Sequence, residues 1–371
     1  MGVGSTGFTR RSERSALALG LEAATMAIRD AGLRAADIDG VVAIGEPGAP
    51  AAQTFASALG LDVVTHWSRP APVVMFAIAD AVHAIVAGSA DTVLVVSAML
   101  RPRRDHDPFG QPAASPTVHV PESLRLAAAY AAWANRYLHE YGATREGWGR
   151  IAVNGRTNAA RNPLAAMRTP MTLDDYYAAR MVREPLCMLD MDLPVDGADA
   201  FVLTSAERAT RMPQAPVLVH AIATGMVGEN TEDQLGSLRR HGQHVVVELL
   251  RARSDFWLDD VDLYYPYDGF TIIAAAWIEN TGWCKPGEAG HFLRDHWLDE
   301  ESRVLIGGRI PINSHGGSLS EGGTRGTGHL REAVLQLRGE AKDRQVRGAR
   351  TALVTPGGFF FNSQGALLRR G

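Results

Sequence analysis

The run VVMFAIADAVHAIVAGSADTVLVVSAM, residues 73–99, narrows the possible folds more than any other stretch. Its first part is an alanine-rich apolar segment that stops at Gly88. Its second part, ADTVLVVSAM, is apolar throughout. A helix this apolar has no broad solvent face, and a strand without polar alternation is covered on both sides. Helix, glycine, buried strand is the pattern of a layered α/β structure whose helices cover both faces of a sheet.

The same order occurs earlier and later in the 371 residues. SALALGLEAATMAIRDAG, from Ser15 to Gly32, reads as a helix ending at glycine, and IDGVVAIG reads as a short buried strand. VVVELLRARSDFWLDDVDLYYPYDGF runs helix, acidic turn, strand, and GHLREAVLQLRGEAKDRQVRGARTALVTPGG runs helix, loop, apolar strand. This repetition predicts two similar α/β halves packed together, residues 1–220 and 221–371. The first half includes a long excursion over 101–199. It opens with RPRRDHDPFGQPAASPTVHV, polar and carrying four prolines. PESLRLAAAYAAWANRYLHEYG and REGWGRIAVNGRTNAARN then read as helices, as does LDDYYAARMVREP. PVDGADA reads as a turn into the strand AFVLTS. A connection this long lines a site or an interface.

A formal charge of −4 gives no global basic field, so general nucleic-acid binding is not expected. The two cysteines, Cys187 and Cys284, have neither metal-ligand spacing nor the look of a secreted scaffold. With no signal-peptide core in the opening residues and no run of about 18 uncharged apolar residues, a cytoplasmic setting without a membrane span is expected. The chain has no strand–GxGxxG–helix unit, no P-loop, no GxSxG elbow and no HExxH, and no metal site is predicted.

Two segments carry candidate chemistry. In YYPYDGF, Tyr267 and Asp268 stand at a strand-to-helix junction and offer a proton donor or relay. A phenol with a pKa of about 10 is a poor base without help. The alternative is a tyrosine that packs its ring while its hydroxyl caps a loop. The second segment, HGGSLSEGGTRGTGH at 315–329, holds six glycines between two histidines. Asn313 can offer an amide to a developing oxyanion, and His315 can orient a carbonyl or relay a proton. His329 can touch substrate or cap local backbone. Arg101, Arg103, Arg104, Arg161 and Arg168 either face an anionic thioester or form a solvated surface.

The chain resembles the thiolase superfamily, in particular its sterol-carrier or lipid-transfer branch, over almost its whole length. The resemblance is carried by GLRAADIDGVV, AIADAVHAIVAGSADTVLV, REP followed by PVDGADAFVLTSAERA, YDGFT, INSHGGSLSEG and ALVTPGG. It implies a duplicated five-layer αβαβα fold, a long loop region over the site, a homodimer, and a coenzyme A thioester as substrate. It also implies an absence. The positions of the two thiolase cysteines hold Ala71 and Thr355, the histidine position holds Gly323, and the Asn–Glu–Ala–Phe motif falls on Tyr267, Asp268, Gly269 and Phe270. Acyl transfer through a covalent thioester needs a thiolate, which no residue here supplies.

The superfamily also contains thiolase-like aldolases that cleave β-hydroxyacyl thioesters from sterol side chains, working with a small zinc-containing OB-fold partner of DUF35 type. By that resemblance Tyr267 is a proton relay or base, with Asp268 beside it and Asn313 and His315 near the thioester oxyanion. Ala71, Gly316, Gly317, Gly323, Arg325, His329, Thr355 and Gly357 would line the substrate. Coenzyme A would enter as part of the substrate, no cofactor would be held covalently, and zinc would reside only in the partner. Those aldolases resemble EGYxHG where this chain reads EGGTRG. Tyr265, Arg325 or a partner residue would then compensate, and the small Ala71 and Gly323 would widen the cavity for a bulky acyl group. Two other readings stay open: a non-catalytic subunit of a heteromeric acyl-CoA complex, and a coenzyme A-dependent acyltransferase of unusual mechanism.

Overall fold

The computed structural model describes residues 1–45, 49–68, 70–100, 122–228, 237–359 and 362–371. The proline-bearing stretch 101–120, with Arg101, Arg103 and Arg104, lies outside the described residues. In the first half, strands β1 (Gly2–Thr9), β2 (Gly40–Ile44), β3 (His66–Trp67), β4 (Thr92–Met99) and β5 (Asp196–Thr204) form one sheet in the order β1-β5-β4-β2-β3. In the second half, β6 (Val217–Gly225), β7 (Leu263–Pro266), β8 (Thr351–Thr355) and β9 (Ser363–Arg370) form another sheet in the order β6-β9-β8-β7. This half opens at β6, a few residues before the expected boundary at 220/221, because that strand pairs with β9. Numbered from its own first strand, the first sheet reads 1-5-4-2-3 and the second 1-4-3-2, which becomes 1-5-4-2-3 once the Ile312 bridge beside β7 is counted as a third strand. Ile312 bridges in parallel to Tyr264, at the place β3 takes beside β2. The duplication read from element order is thus present in the hydrogen bonding.

Side-chain alternation assigns the layers. In β2, Val41 and Ala43 face helices α1 (Ala16–Asp30) and α2 (Ala52–Leu59), while Val42 and Ile44 face the interior. In β8, Leu353 points outward and Ala352 and Val354 point inward. The interior layer is a pair of helices, α3 (Val74–Val86) and the helix over Thr327–Arg338, packed between the two sheets. Outside the second sheet lie Gly242–Ala252 and Thr271–Thr281, and the excursion helices α4 (Glu122–Tyr141) and α5 (Glu146–Ala160) add to that core. The result is the expected thiolase-like αβαβα arrangement. No helix among the described residues is long and apolar enough to cross a membrane.

Local signals hold where they carry a mechanism. The Ser15 hydroxyl accepts the Ala18 N–H at 3.2 Å to open α1, and Gly339 closes the helix over Thr327–Arg338 at φ +80°. Three local expectations change. LDDYYAARMVREP is helical only over Leu173–Ala178; Met181–Arg183 then pairs with Leu186–Cys187. PVDGADA is not a turn throughout, because β5 begins at Asp196. GVGSTGFT, unread as a strand, is β1. Its glycines let α1 lie on it, since a Cβ on Gly4 would stand 2.1 Å from the Ala23 carbonyl oxygen.

Candidate active site

Strands β7 and β8 run parallel and end side by side at Pro266 and Thr355. The carboxyl end of parallel strands is where α/β folds place ligands, and the loops bearing the candidate residues leave from that edge. Tyr267 follows β7, and its N–H donates to the Thr355 carbonyl at 3.0 Å. Its ring folds back over Gly269, where a Cβ would sit 2.5 Å from the phenol oxygen. The side chain is partly exposed, and its hydroxyl makes no hydrogen bond to a described residue. Burial, then the carboxylates of Asp192 and Asp268, push its pKa well above the usual phenol range, with Arg325 opposing. Tyr267 is therefore a protonated donor at neutral pH.

Asp268 is buried and held from two directions. Its Oδ1 accepts the Ser318 N–H at 2.7 Å and lies 3.2 Å from His329 Nε2. This approach requires Gly317, which sits at φ +63° where a Cβ would fall 1.9 Å from Asp268 Oδ2. The His329 ring lies 5.9 Å from Tyr267 and 4.7 Å, edge-on, from His315. Both His315 ring nitrogens are buried without a hydrogen-bond partner among the described residues, and Nε2 lies 3.8 Å from Glu321 Oε2. Burial, with His329, Arg331 and Arg344 nearby, pulls the His315 pKa well below its usual value, so the imidazole is neutral. Asn313 takes φ +49°, donates Nδ2 to the Pro266 carbonyl at 2.8 Å, and leaves Oδ1 buried without a partner among the described residues.

Behind this row lies a buried ionic network that joins the halves. Arg331 donates to both Asp199 oxygens, at 2.6 and 2.8 Å, and to Glu321 Oε1. Asn162 Nδ2 also donates to Glu321 Oε1, at 2.7 Å, and the Thr327 hydroxyl donates to Asp199 at 2.7 Å. Burial raises the Glu321 pKa to about 7, with Arg331 opposing.

The structure brings Tyr267, Asp268, Asn313, His315, Gly317, His329 and Thr355 together. Others among the expected residues have different local duties. Gly316 packs on α5, where a Cβ would fall 2.6 Å from Ala159 Cβ. Gly357 accepts the Trp277 indole N–H at 2.5 Å and closes on the Asn362 carbonyl. Ala71 bridges to Ile44 at the head of α3, and the Arg325 carbonyl accepts the Val74 N–H at 3.3 Å. Tyr265 does not compensate for Gly323, because its hydroxyl is tied to Ser314, which donates to Glu332. Nor does Gly323 leave open space: a Cβ there would fall 2.4 Å from Asp192 Oδ2. Asp192 escapes the sequence reading, and only its place just before the PVDG motif could have marked it. The cysteines are elsewhere. Cys187 is buried beneath Tyr176 with its pKa pushed up to about 11, and Cys284 is half-buried among the outer helices.

Residues 250–370 match the family model described as Thiolase C-terminal domain-like. A 17-hydroxy-3-oxo-4-pregnene-20-carboxyl-CoA lyase from Mycobacterium tuberculosis is 33% identical over 96% of this chain and 95% of its own length. A steroid side-chain-cleaving aldolase from Thermomonospora curvata is 33% identical over 96% and 94%. A solved Ltp2-ChsH2(DUF35) aldolase superposes with a TM-score of 0.85 at 31% identity, over 100% of this chain and 96% of that one. The fold and its site edge define a thiolase-like protein. The chain belongs to the thiolase superfamily, in the family of its steroid side-chain-cleaving aldolase relatives.

Proposed function

We propose that this chain is the thiolase-like subunit of a carbon–carbon lyase that cleaves a bulky β-hydroxyacyl-CoA thioester by a retro-aldol reaction. The observation that carries the reading is the site edge itself: a protonated tyrosine hydroxyl stands there, and Ala71 and Thr355 occupy the positions where a thiolase needs sulfur. Both cysteines lie away from it. The relatives' names, aldolase and lyase, point the same way.

Retro-aldol cleavage needs a base for the β-hydroxyl proton, stabilisation of the enolate oxygen and a proton for Cα. Tyr267, protonated and unpartnered among the described residues, fits the third task better than the first. Asn313 commits one amide N–H to Pro266 and keeps another for the oxyanion. His315, neutral, acts behind it through an N–H and not through a full charge. Asp268 holds His329 against Tyr267 and keeps the two loops in register. Coenzyme A is part of the substrate. The partner is a DUF35-type subunit that carries zinc, a pairing supported by the likeness to the solved Ltp2-ChsH2(DUF35) aldolase. The chain assembles as a homodimer within that complex.

The test is turnover of β-hydroxyacyl and β-ketoacyl thioesters by the chain, alone and with the small zinc protein. Release of aldehyde or ketone without a covalent adduct is expected. Acyl transfer that requires free coenzyme A would replace this reading with a thiolase. Tight association with an active homologue and no turnover would replace it with a silent subunit.

A further inference from the structure

Met191 to Val195 threads between the two loops that carry the site. Met191 bridges antiparallel to Phe270, and the Asp192 N–H donates to the Gly269 carbonyl at 2.8 Å. One residue on, the Leu193 carbonyl accepts the Gly323 N–H at 2.7 Å and the Leu193 N–H donates to the Ser318 carbonyl at 2.9 Å. Backbone hydrogen bonds therefore tie Asp192 to the Tyr267 loop on one side, and through Leu193 to the Gly323 loop on the other. Its carboxylate fills the space that a side chain at 323 would take, with Oδ2 at 2.4 Å and Cγ at 3.0 Å from the place of a Cβ there. The Tyr267 ring lies over Gly269, the same residue that accepts the Asp192 N–H. After burial, the Asp192 charge contributes most to raising the phenol pKa, ahead of Asp268. A carboxylate and a phenol hydroxyl thus share one partly exposed corner of the site edge.

We propose that Asp192 is a catalytic residue: its carboxylate takes the substrate's β-hydroxyl proton from the slot beside Gly323, opposite the Tyr267 hydroxyl. The proposal rests on the retro-aldol reading. The O–H electrons become the new C=O bond as the Cα–Cβ bond breaks, and that bond's pair moves to Cα and onto the thioester oxygen. Tyr267 gives its proton to Cα, releasing the shortened acyl-CoA. The phenolate then recovers a proton from the Asp192 carboxylic acid. Protons and electrons balance within the chain and substrate, with no outside reductant or oxidant. A carboxylate supplies the base that a phenol holding its own proton cannot, and Gly323 gives it room.

The experiment compares Asp192→Asn and Asp192→Glu with the wild type, each assembled with the zinc partner. For Asp192→Asn, kcat should fall about 100-fold or more, the usual scale for a positioned base. KM and calorimetric binding of the acyl-CoA product should stay within about threefold. The acid limb of the pH–rate profile should disappear in Asp192→Asn and return in Asp192→Glu. Cleavage by Asp192→Asn within about threefold of the wild type overturns the role while leaving the lyase reading standing. Parallel loss of product binding and cleavage also overturns it, by returning Asp192 to loop scaffolding. A wild-type complex that cleaves no β-hydroxyacyl thioester defeats the lyase reading and the role of Asp192 together.

Discussion

The two helices that lie between the sheets occupy equivalent places in the two halves and have opposite characters. Helix α3 buries Val74, Met75, Ala77, Ile78, Ala81 and Ala84, and its polar residues Asp80 and His83 remain outside the buried set. Its counterpart over Thr327–Arg338 buries His329, Arg331, Glu332, Gln336 and Arg338 beside Leu330, Ala333, Val334 and Leu337. The strand order around them is the same. The duplication therefore fixes a frame, and the buried polar and ionisable side chains are loaded onto one copy. In the first half the head of α3 offers only Ala71. In the second half the helix itself brings His329 to the site and Arg331 to the network behind it.

The largest effect should come from breaking the second helix's ionic centre. Arg331→Met leaves Asp199 and Glu321 buried without their cation, and removing one partner of such a group costs about 3–5 kcal/mol. Denaturant unfolding at pH 8 measures it, and a loss under about 1 kcal/mol would mean that the network is incidental. The same variant carries a pH signature. Burial already holds the Glu321 pKa at about 7, above its unfolded value of 4.5, so the folded chain binds the extra proton between those limits. That contribution favours the fold at low pH and is lost as pH rises through 7. Without Arg331 the shift grows, so the penalty of Arg331→Met should shrink as pH falls from 8 toward 5. A penalty independent of pH would place the cost in packing.

A smaller effect, read in rate and not in stability, belongs to Tyr267. Tyr267→Phe removes a hydroxyl that makes no hydrogen bond to a described residue, so the fold should be little changed. Cleavage should drop at least tenfold, about 1.4 kcal/mol in the barrier. An unchanged rate would strip the second half of its proposed acid.

Much of the frame was legible because apolar runs and glycine stops report burial directly. The run from Val73 to Met99 could hardly be anything but an interior helix and a two-faced strand, and Gly32 and Gly88 mark helix ends as glycine should. The residues that the fold gathers at the candidate site were legible where a residue type is rare in its setting: Tyr267 and Asp268 after β7, and His315 and His329 among glycines. The rest depends on contacts that no local pattern encodes. Gly316 looks like a ligand-facing glycine and is a packing surface for Ala159. Gly323 looks like a vacancy and is filled by Asp192, which is 131 residues earlier in the chain. Strand β1 was hidden because its glycines answer to α1 lying across them, a tertiary demand.

The smallest effect should come from putting sulfur back into the first half. Ala71→Cys places a thiol at the head of α3, where a free helix end would lower its pKa and make it a nucleophile. That end is not free: the Val74 N–H already donates to the Arg325 carbonyl and the Met75 N–H to Gln364 at 2.7 Å. The second half, moreover, presents Thr355 and Gly323 where acyl transfer would need a second thiol and a histidine. The variant should react with iodoacetamide yet show coenzyme A-dependent acyl transfer no more than about tenfold above the wild type, at most about 1.4 kcal/mol off the barrier. Robust transfer would mean that a single atom in the first half separates the two chemistries. Its absence would place the division in the second half, among the side chains around the helix that opens at Thr327.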